Sequence, residues 1–149
     1  MQFHYCTMDP HRSTSTKQWS KGNYCIMRNG PSCPEGFHQG SVFWDDEDEK
    51  NSNRQEGTLP SGSFTRDTLI NYCCRNDGSF RNRIILPTNK PFYLLRFRSL
   101  CERVQEMYVR EEIVHFDDED SNNRNTVSGW YPLGAGGRDQ NLHYCYYSP

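Results

Sequence analysis

Apolar residues in this chain come in short runs, separated by polar stretches rich in Asn, Gly and Pro. The runs are Tyr24-Cys25-Ile26-Met27, Ser41-Val42-Phe43-Trp44 and Thr68-Leu69-Ile70-Asn71-Tyr72-Cys73, then Phe92-Tyr93-Leu94-Leu95, Ile113-Val114-His115-Phe116 and Gln140-Asn141-Leu142-His143-Tyr144-Cys145. Short β-branched and aromatic runs bounded by such breakers predict strands. Only Cys101 to Val114 carries helical spacing, through Val104, Met107, Tyr108 and Glu111. Its earlier counterpart, Cys33-Pro34-Glu35-Gly36-Phe37, cannot stay helical with Pro and Gly so close together. Both segments are therefore expected to be extended, and the fold class all-β.

The runs recur in order. Asp45-Asp46-Glu47-Asp48 returns 72 residues later as Asp117-Asp118-Glu119-Asp120, and the offset holds without a gap from position 45 until Cys73 meets Cys145. Over these 29 positions 13 residues are identical, among them Asn51/Asn123, Asn53/Asn125, Gly57/Gly129, Pro60/Pro132, Gly62/Gly134, Arg66/Arg138 and Asp67/Asp139. Unrelated segments would share roughly two at average residue usage, so the chain contains an internal duplication. His4-Tyr5-Cys6 repeats the endings Asn71-Tyr72-Cys73 and His143-Tyr144-Cys145. Residues 1–149 thus read as a single domain. Residues 1–6 are expected to be the end strand of a further, missing copy, 7–73 the first whole copy and 74–149 the second. A third copy would suit a pseudo-threefold body, β-prism or trefoil-like, with a β-sandwich as the alternative.

Composition narrows the class. The 149 residues carry a net charge of −2, with 13% aromatic side chains. Aromatic rings bury large areas each, so a core is possible although Ile, Leu, Val and Phe are scarce. Mild acidity without a basic cluster disfavours nucleic-acid binding, and no run is long enough to span a membrane. Seven cysteines occur without a Cys-x-x-Cys pair, which points to an extracellular disulfide framework rather than zinc or redox chemistry. The leader that secretion requires is expected upstream of Met1. Cys33 and Cys101 hold the same place in their copies, as do Cys73 and Cys145. The duplication therefore pairs Cys33 with Cys73 and Cys101 with Cys145. Cys74 is left to Cys25, since position 146 is Tyr and the Cys25 counterpart is Leu94 or Leu95. Adjacent strand residues point to opposite faces, so Cys73 and Cys74 are expected to reach different partners, and Cys6 is left over.

Several motifs together resemble the C-terminal domain of apextrin, the ApeC family. They are Cys33-Pro34-x-Gly36-Phe37-x-x-Gly40-Ser41-Val42-x-Trp44-Asp45-Asp46-Glu47-Asp48, Gly57-Thr58-Leu59-Pro60-x-Gly62, Tyr72-Cys73-Cys74-Arg75-x-Asp77-Gly78, Ile85-Leu86-Pro87-Thr88 followed by Pro91-Phe92-Tyr93-Leu94-Leu95, and Tyr144-Cys145-Tyr146-Tyr147. The chain departs from that pattern at Glu106, where the family has glycine, and at Trp19-Ser20-Lys21-Gly22. The resemblance implies a secreted module of invertebrate innate immunity or adhesion. Relatives are often fused to perforin-like or other secreted domains, and some recognise bacterial peptidoglycan through its muramyl peptide.

The acids are the first candidates for chemistry. Calcium takes carboxylate, amide and carbonyl oxygens, and each copy supplies such a set: Asp45, Asp46, Asp48 and Asn51 in one, Asp117, Asp118, Asp120 and Asn123 in the other. A solvated acidic turn, or a carboxylate paired with Arg66 or Arg138, is the structural alternative. Active sites are single constellations converging from several elements, whereas a cluster present twice suits structure or multivalent binding, so no enzyme is expected. For a bacterial cell-wall glycopeptide, the expected contacts are Trp130 and Tyr131. They break the repeat where the first copy has Thr58 and Leu59.

Overall fold

A computed structural model describes residues 18–46, 52–116 and 123–149. Cys6 and the proposed end strand 1–6 lie outside them. Eight strands form: β1 (Asn23–Met27), β2 (His38–Trp44), β3 (Gly62–Phe64), β4 (Thr68–Asn76), β5 (Phe92–Arg96), β6 (Tyr108–Phe116), β7 (Thr126–Gly129) and β8 (Gln140–Ser148). The expected strands within the described residues are present, and no helix occurs among those residues. The copy boundary drawn at Cys73 falls inside β4.

All strands join one antiparallel sheet in the order β6-β8-β5-β1-β4-β2-β7, with β3 pairing β4 beyond the end of β1. The order mirrors itself about the β5/β1 contact, and the registers agree. Val42 lies opposite Ile70 and Val114 opposite Leu142, each pair 72 residues from the other. Tyr24 faces Arg96 and Cys25 faces Leu95. One step further along this register sets Ile26 against Leu94, which hold equivalent places in their copies, so a local twofold axis passes between them. The two described copies are thus twofold-related, and the expected threefold order is not confirmed. The β5–β8 register also corrects the counterpart of Cys25. Cys25 lies opposite Cys74 and Tyr93 opposite Tyr146. Tyr93, not Leu94 or Leu95, is the counterpart, and the second copy carries a tyrosine pair where the first carries a cystine.

The sheet is curled. Trp44 and Phe116 sit five strands apart in the order, which at ~4.8 Å per strand would separate them by roughly 24 Å if flat. Their rings are instead 6.1 Å apart. The concave face encloses Val42, Trp44, Tyr72, Leu95, Phe97, Leu142, Tyr144 and the Cys25–Cys74 cystine. On the opposite face Tyr24, Leu94, Cys145 and Tyr147 pack under Ile84 and Val104. Those two residues are joined by a parallel bridge, and Glu102 caps the cluster by accepting from the Asn23 amide at 2.6 Å. The other bridges are Cys33–Cys73 and Cys101–Cys145, the pairings the duplication suggests. Aromatic rings and cystines thus fill the space that aliphatic side chains fill elsewhere.

Two repeated residues have a direct steric cause. A Cβ on Gly62 would lie 1.9 Å from the Leu69 carbonyl oxygen, and one on Gly134 2.0 Å from that of Asn141. Only glycine lets the Pro-x-Gly segment approach the neighbouring strand in either copy.

Glu106 is the one non-glycine described at positive φ, +62°, on the turn into β6. A left-handed L-residue costs roughly 1–2 kcal/mol, part of which the greater unfolded freedom of glycine takes back. Glu106→Gly is expected to stabilise by ~0.5–1 kcal/mol, read as a rise in the urea midpoint. An unchanged or lower midpoint would contradict the turn geometry.

Candidate functional site

The acid runs begin where β2 and β6 end, directly after Trp44 and Phe116. Of the calcium set, Asp45, Asp46 and Asn123 are described, while Asp48, Asn51, Asp117, Asp118 and Asp120 lie outside the described residues. The described acids lock loops. The Asp45 amide donates to Asn125 Oδ1 at 2.8 Å, and the Arg124 amide donates to Asp45 Oδ2 at 2.7 Å. The second copy's loop is thereby fastened to the first copy's strand. Asp46 Oδ2 accepts from Asn53 Nδ2 at 2.8 Å and from Thr68 Oγ1 at 2.7 Å. Its carboxyl is raised above the usual range, first by burial and further by the charges of Asp67 and Asp45, against the hydrogen bonds from Thr68 and Asn53.

The repeated asparagines do equivalent work. Asn53 Nδ2 donates to the Arg66 carbonyl at 3.3 Å, and Asn125 Nδ2 to the Arg138 carbonyl at 3.0 Å. Asn123 Nδ2 donates to that same Arg138 carbonyl at 3.0 Å. The backbone of Arg66 and Arg138 is what both loops grip, a role not visible from the charge of these residues. Among the described residues no three His, Cys, Asp or Glu side chains gather to hold a metal ion.

Trp130 and Tyr131 are half-buried against the concave core. Trp130 follows β7, which pairs with β2, and its ring stacks on His38 at 4.1 Å and on Phe97 at 4.9 Å. Both neighbours are rings, so its flat surface serves packing between copies.

A polar node joins two motifs that are far apart in sequence. Arg75 is 4% exposed, and its Nε and Nη2 donate to the two oxygens of Asp77 at 2.8 and 2.7 Å. Its Nη1 donates to the Trp19 carbonyl at 2.8 Å. The guanidinium also lies over the Phe37 ring at 4.8 Å. Cys33-Pro34-x-Gly36-Phe37 and Cys74-Arg75-x-Asp77-Gly78 thus meet in one structural joint. The Arg75 hydrogen bond, above all, holds Asp77 down at about 2. An unfolded Asp titrates near 3.9, so this pair stabilises the fold above that value and the contribution is lost as pH falls towards 2. Asp77→Asn is expected to remove that part of the acid sensitivity. In urea melts from pH 6 to 2, the wild-type advantage over the variant shrinks below pH 4. A constant difference across that range would contradict it.

A second aromatic surface lies on the concave side of β5, β8 and β6, and the sequence did not single it out. Tyr93 is 51% and Tyr108 79% exposed. The Tyr93 ring lies 5.0 Å from Tyr146 and 5.9 Å, edge-on, from Tyr144. Tyr93 Oη donates to Glu112 Oε2 at 3.0 Å, and Arg110 Nε donates to Glu112 Oε1 at 2.9 Å. The Arg110 guanidinium sits over Tyr146 at 4.7 Å. The hydroxyl of Tyr93 is raised, first by desolvation and then by its bond to Glu112. The signal that could have found this surface is the replacement of the Cys25–Cys74 cystine by two tyrosines.

Compared with known proteins, the chain matches the family model described as ApeC, C-terminal domain of apextrin, over residues 1–147. No curated protein and no solved structure matches it.

Proposed function

The chain belongs to the ApeC family, the C-terminal domain of apextrin, and from that premise we propose that it is an extracellular recognition module of innate immunity that binds bacterial cell-wall peptidoglycan without catalysis. The family match over nearly the whole chain carries the reading, and it suggests an extracellular apextrin-like module. Three disulfides among the described residues support an oxidising compartment. No helix among the described residues is long and apolar enough to cross a membrane. The peptidoglycan ligand is what the resemblance implies for this chain.

The test is co-sedimentation of the oxidised protein with insoluble peptidoglycan, with and without a calcium chelator. Retention in both arms is expected, because the described acids are committed to loop hydrogen bonds. Retention lost only with chelator would assign the acid runs to calcium. Absence of retention in both arms would sink the reading and leave the structural matrix or adhesion module in its place. Release of soluble muramyl fragments would overturn the non-catalytic part.

A further inference from the structure

The two copies share a frame but cover it differently. In the first, β7 lies along β2, with Gly40 opposite Gly129 and Phe43 opposite Thr126. Trp130 then closes over the face beside the Cys25–Cys74 cystine. Gly40 makes this possible, since a Cβ there would lie 2.0 Å from the Trp130 carbonyl oxygen. By the 72-residue offset of β2 and β6, Arg110 replaces His38 and Glu112 replaces Gly40. Tyr93 and Tyr146 replace the cystine. The counterpart of Trp130 is Thr58, which is exposed and lies in an irregular segment. The outer edge of the nine-residue β6 pairs with no strand among the described residues.

We infer that this Tyr93–Arg110–Glu112–Tyr146 face and the adjoining edge of β6 are the site that takes the acidic glycopeptide; the inference rests on the peptidoglycan reading above. Four observations lead there. The equivalent face in the first copy accommodates a flat ring, so a ring-sized group fits the geometry. A sugar presents an apolar C–H face to a tyrosine ring and hydroxyls to the polar groups around it. The tyrosines are pre-positioned, because Glu112 fixes Tyr93 and Arg110 while Tyr146 supports the guanidinium, so little ordering is lost on binding. Arg110 uses Nε for Glu112, and its two Nη groups make no hydrogen bond among the described residues. They are donors suited to a carboxylate. The edge of β6, unpaired among the described residues, offers backbone to the peptide part as an added strand, as β7 does on β2.

The test measures binding of wild type, Tyr93→Ala, Arg110→Ala and Phe80→Ala to insoluble peptidoglycan, alongside thermal melts. Phe80 is 79% exposed and lies outside this face, so it serves as the surface control. Tyr93→Ala and Arg110→Ala are expected to weaken binding about tenfold or more, the equivalent of ~1.4 kcal/mol, with Phe80→Ala unchanged. The Arg110 side chain is 70% exposed, so its variant keeps the fold and decides the matter should Tyr93→Ala melt early. Wild-type affinity in a folded Arg110→Ala overturns the site but leaves the peptidoglycan reading standing. No binding by wild type overturns both.

Discussion

Replacing Cys73 and Cys74 together with serine is expected to leave the protein unfolded at 37 °C. These adjacent residues of β4 point to opposite faces and tie the central strand to Cys33 on one side and Cys25 on the other. The bridges span 49 and 40 residues, and closing loops of this size stabilises by ~4 kcal/mol each in the chain-entropy model. A domain has only about 5–15 kcal/mol in total. β4 also pairs with β1, β2 and β3, so loosening it releases most of the first copy. Circular dichroism and proteolysis at 37 °C would report the loss. A cooperative melt above that temperature would show that packing alone holds the sheet.

Arg75→Ala is the second large effect, with an expected cost of ~2–5 kcal/mol, the range for truncating a large buried side chain. Arg75 is the buried partner of Asp77 and of the Trp19 carbonyl, and it stacks on Phe37. Its loss leaves that carbonyl without this donor and the carboxylate with only the Gly22 amide, and it opens space beneath Phe37. Asp77→Asn should cost less, because the Asp77 side chain is 40% exposed and water replaces part of what it loses. Urea midpoints order the two variants, and an Arg75→Ala as stable as Asp77→Asn would contradict the role given to burial.

Much of the frame is legible in the sequence because it is local. The six apolar runs become β1, β2, β4, β5, β6 and β8, and the repeat aligns the cysteines. β3 and β7 are not legible. Gly62-Ser63-Phe64 and Thr126-Val127-Ser128-Gly129 have little intrinsic strand pattern and form by pairing with β4 and β2. The twofold relation of the described copies depends on the long-range β1–β5 register, which no local pattern encodes. The counterpart of Cys25 was hidden by a spacing difference. From the registers, Cys25 and Tyr93 are 68 residues apart, whereas the flanking strands keep 72. Trp130 was chosen as a loop aromatic, yet His38 and Phe97 enclose it. Tyr93 is 51% exposed although it sits in an apolar run, Phe92-Tyr93-Leu94-Leu95. By the 72-residue offset the counterpart of Trp130 is Thr58, which carries no ring to cover it.

In the site proposed above, the repeat supplies the scaffold and the ligand is taken where the copies differ. Hydrogen exchange of the oxidised protein with a saturating soluble muramyl peptide tests it most directly. Protection is predicted in 92–95 and 108–112, with the loops around Asp45, Asp46 and 123–125 unchanged. Protection confined to those acid loops and to Trp130 and Tyr131, with β5 and β6 exchanging as in the free protein, would contradict it.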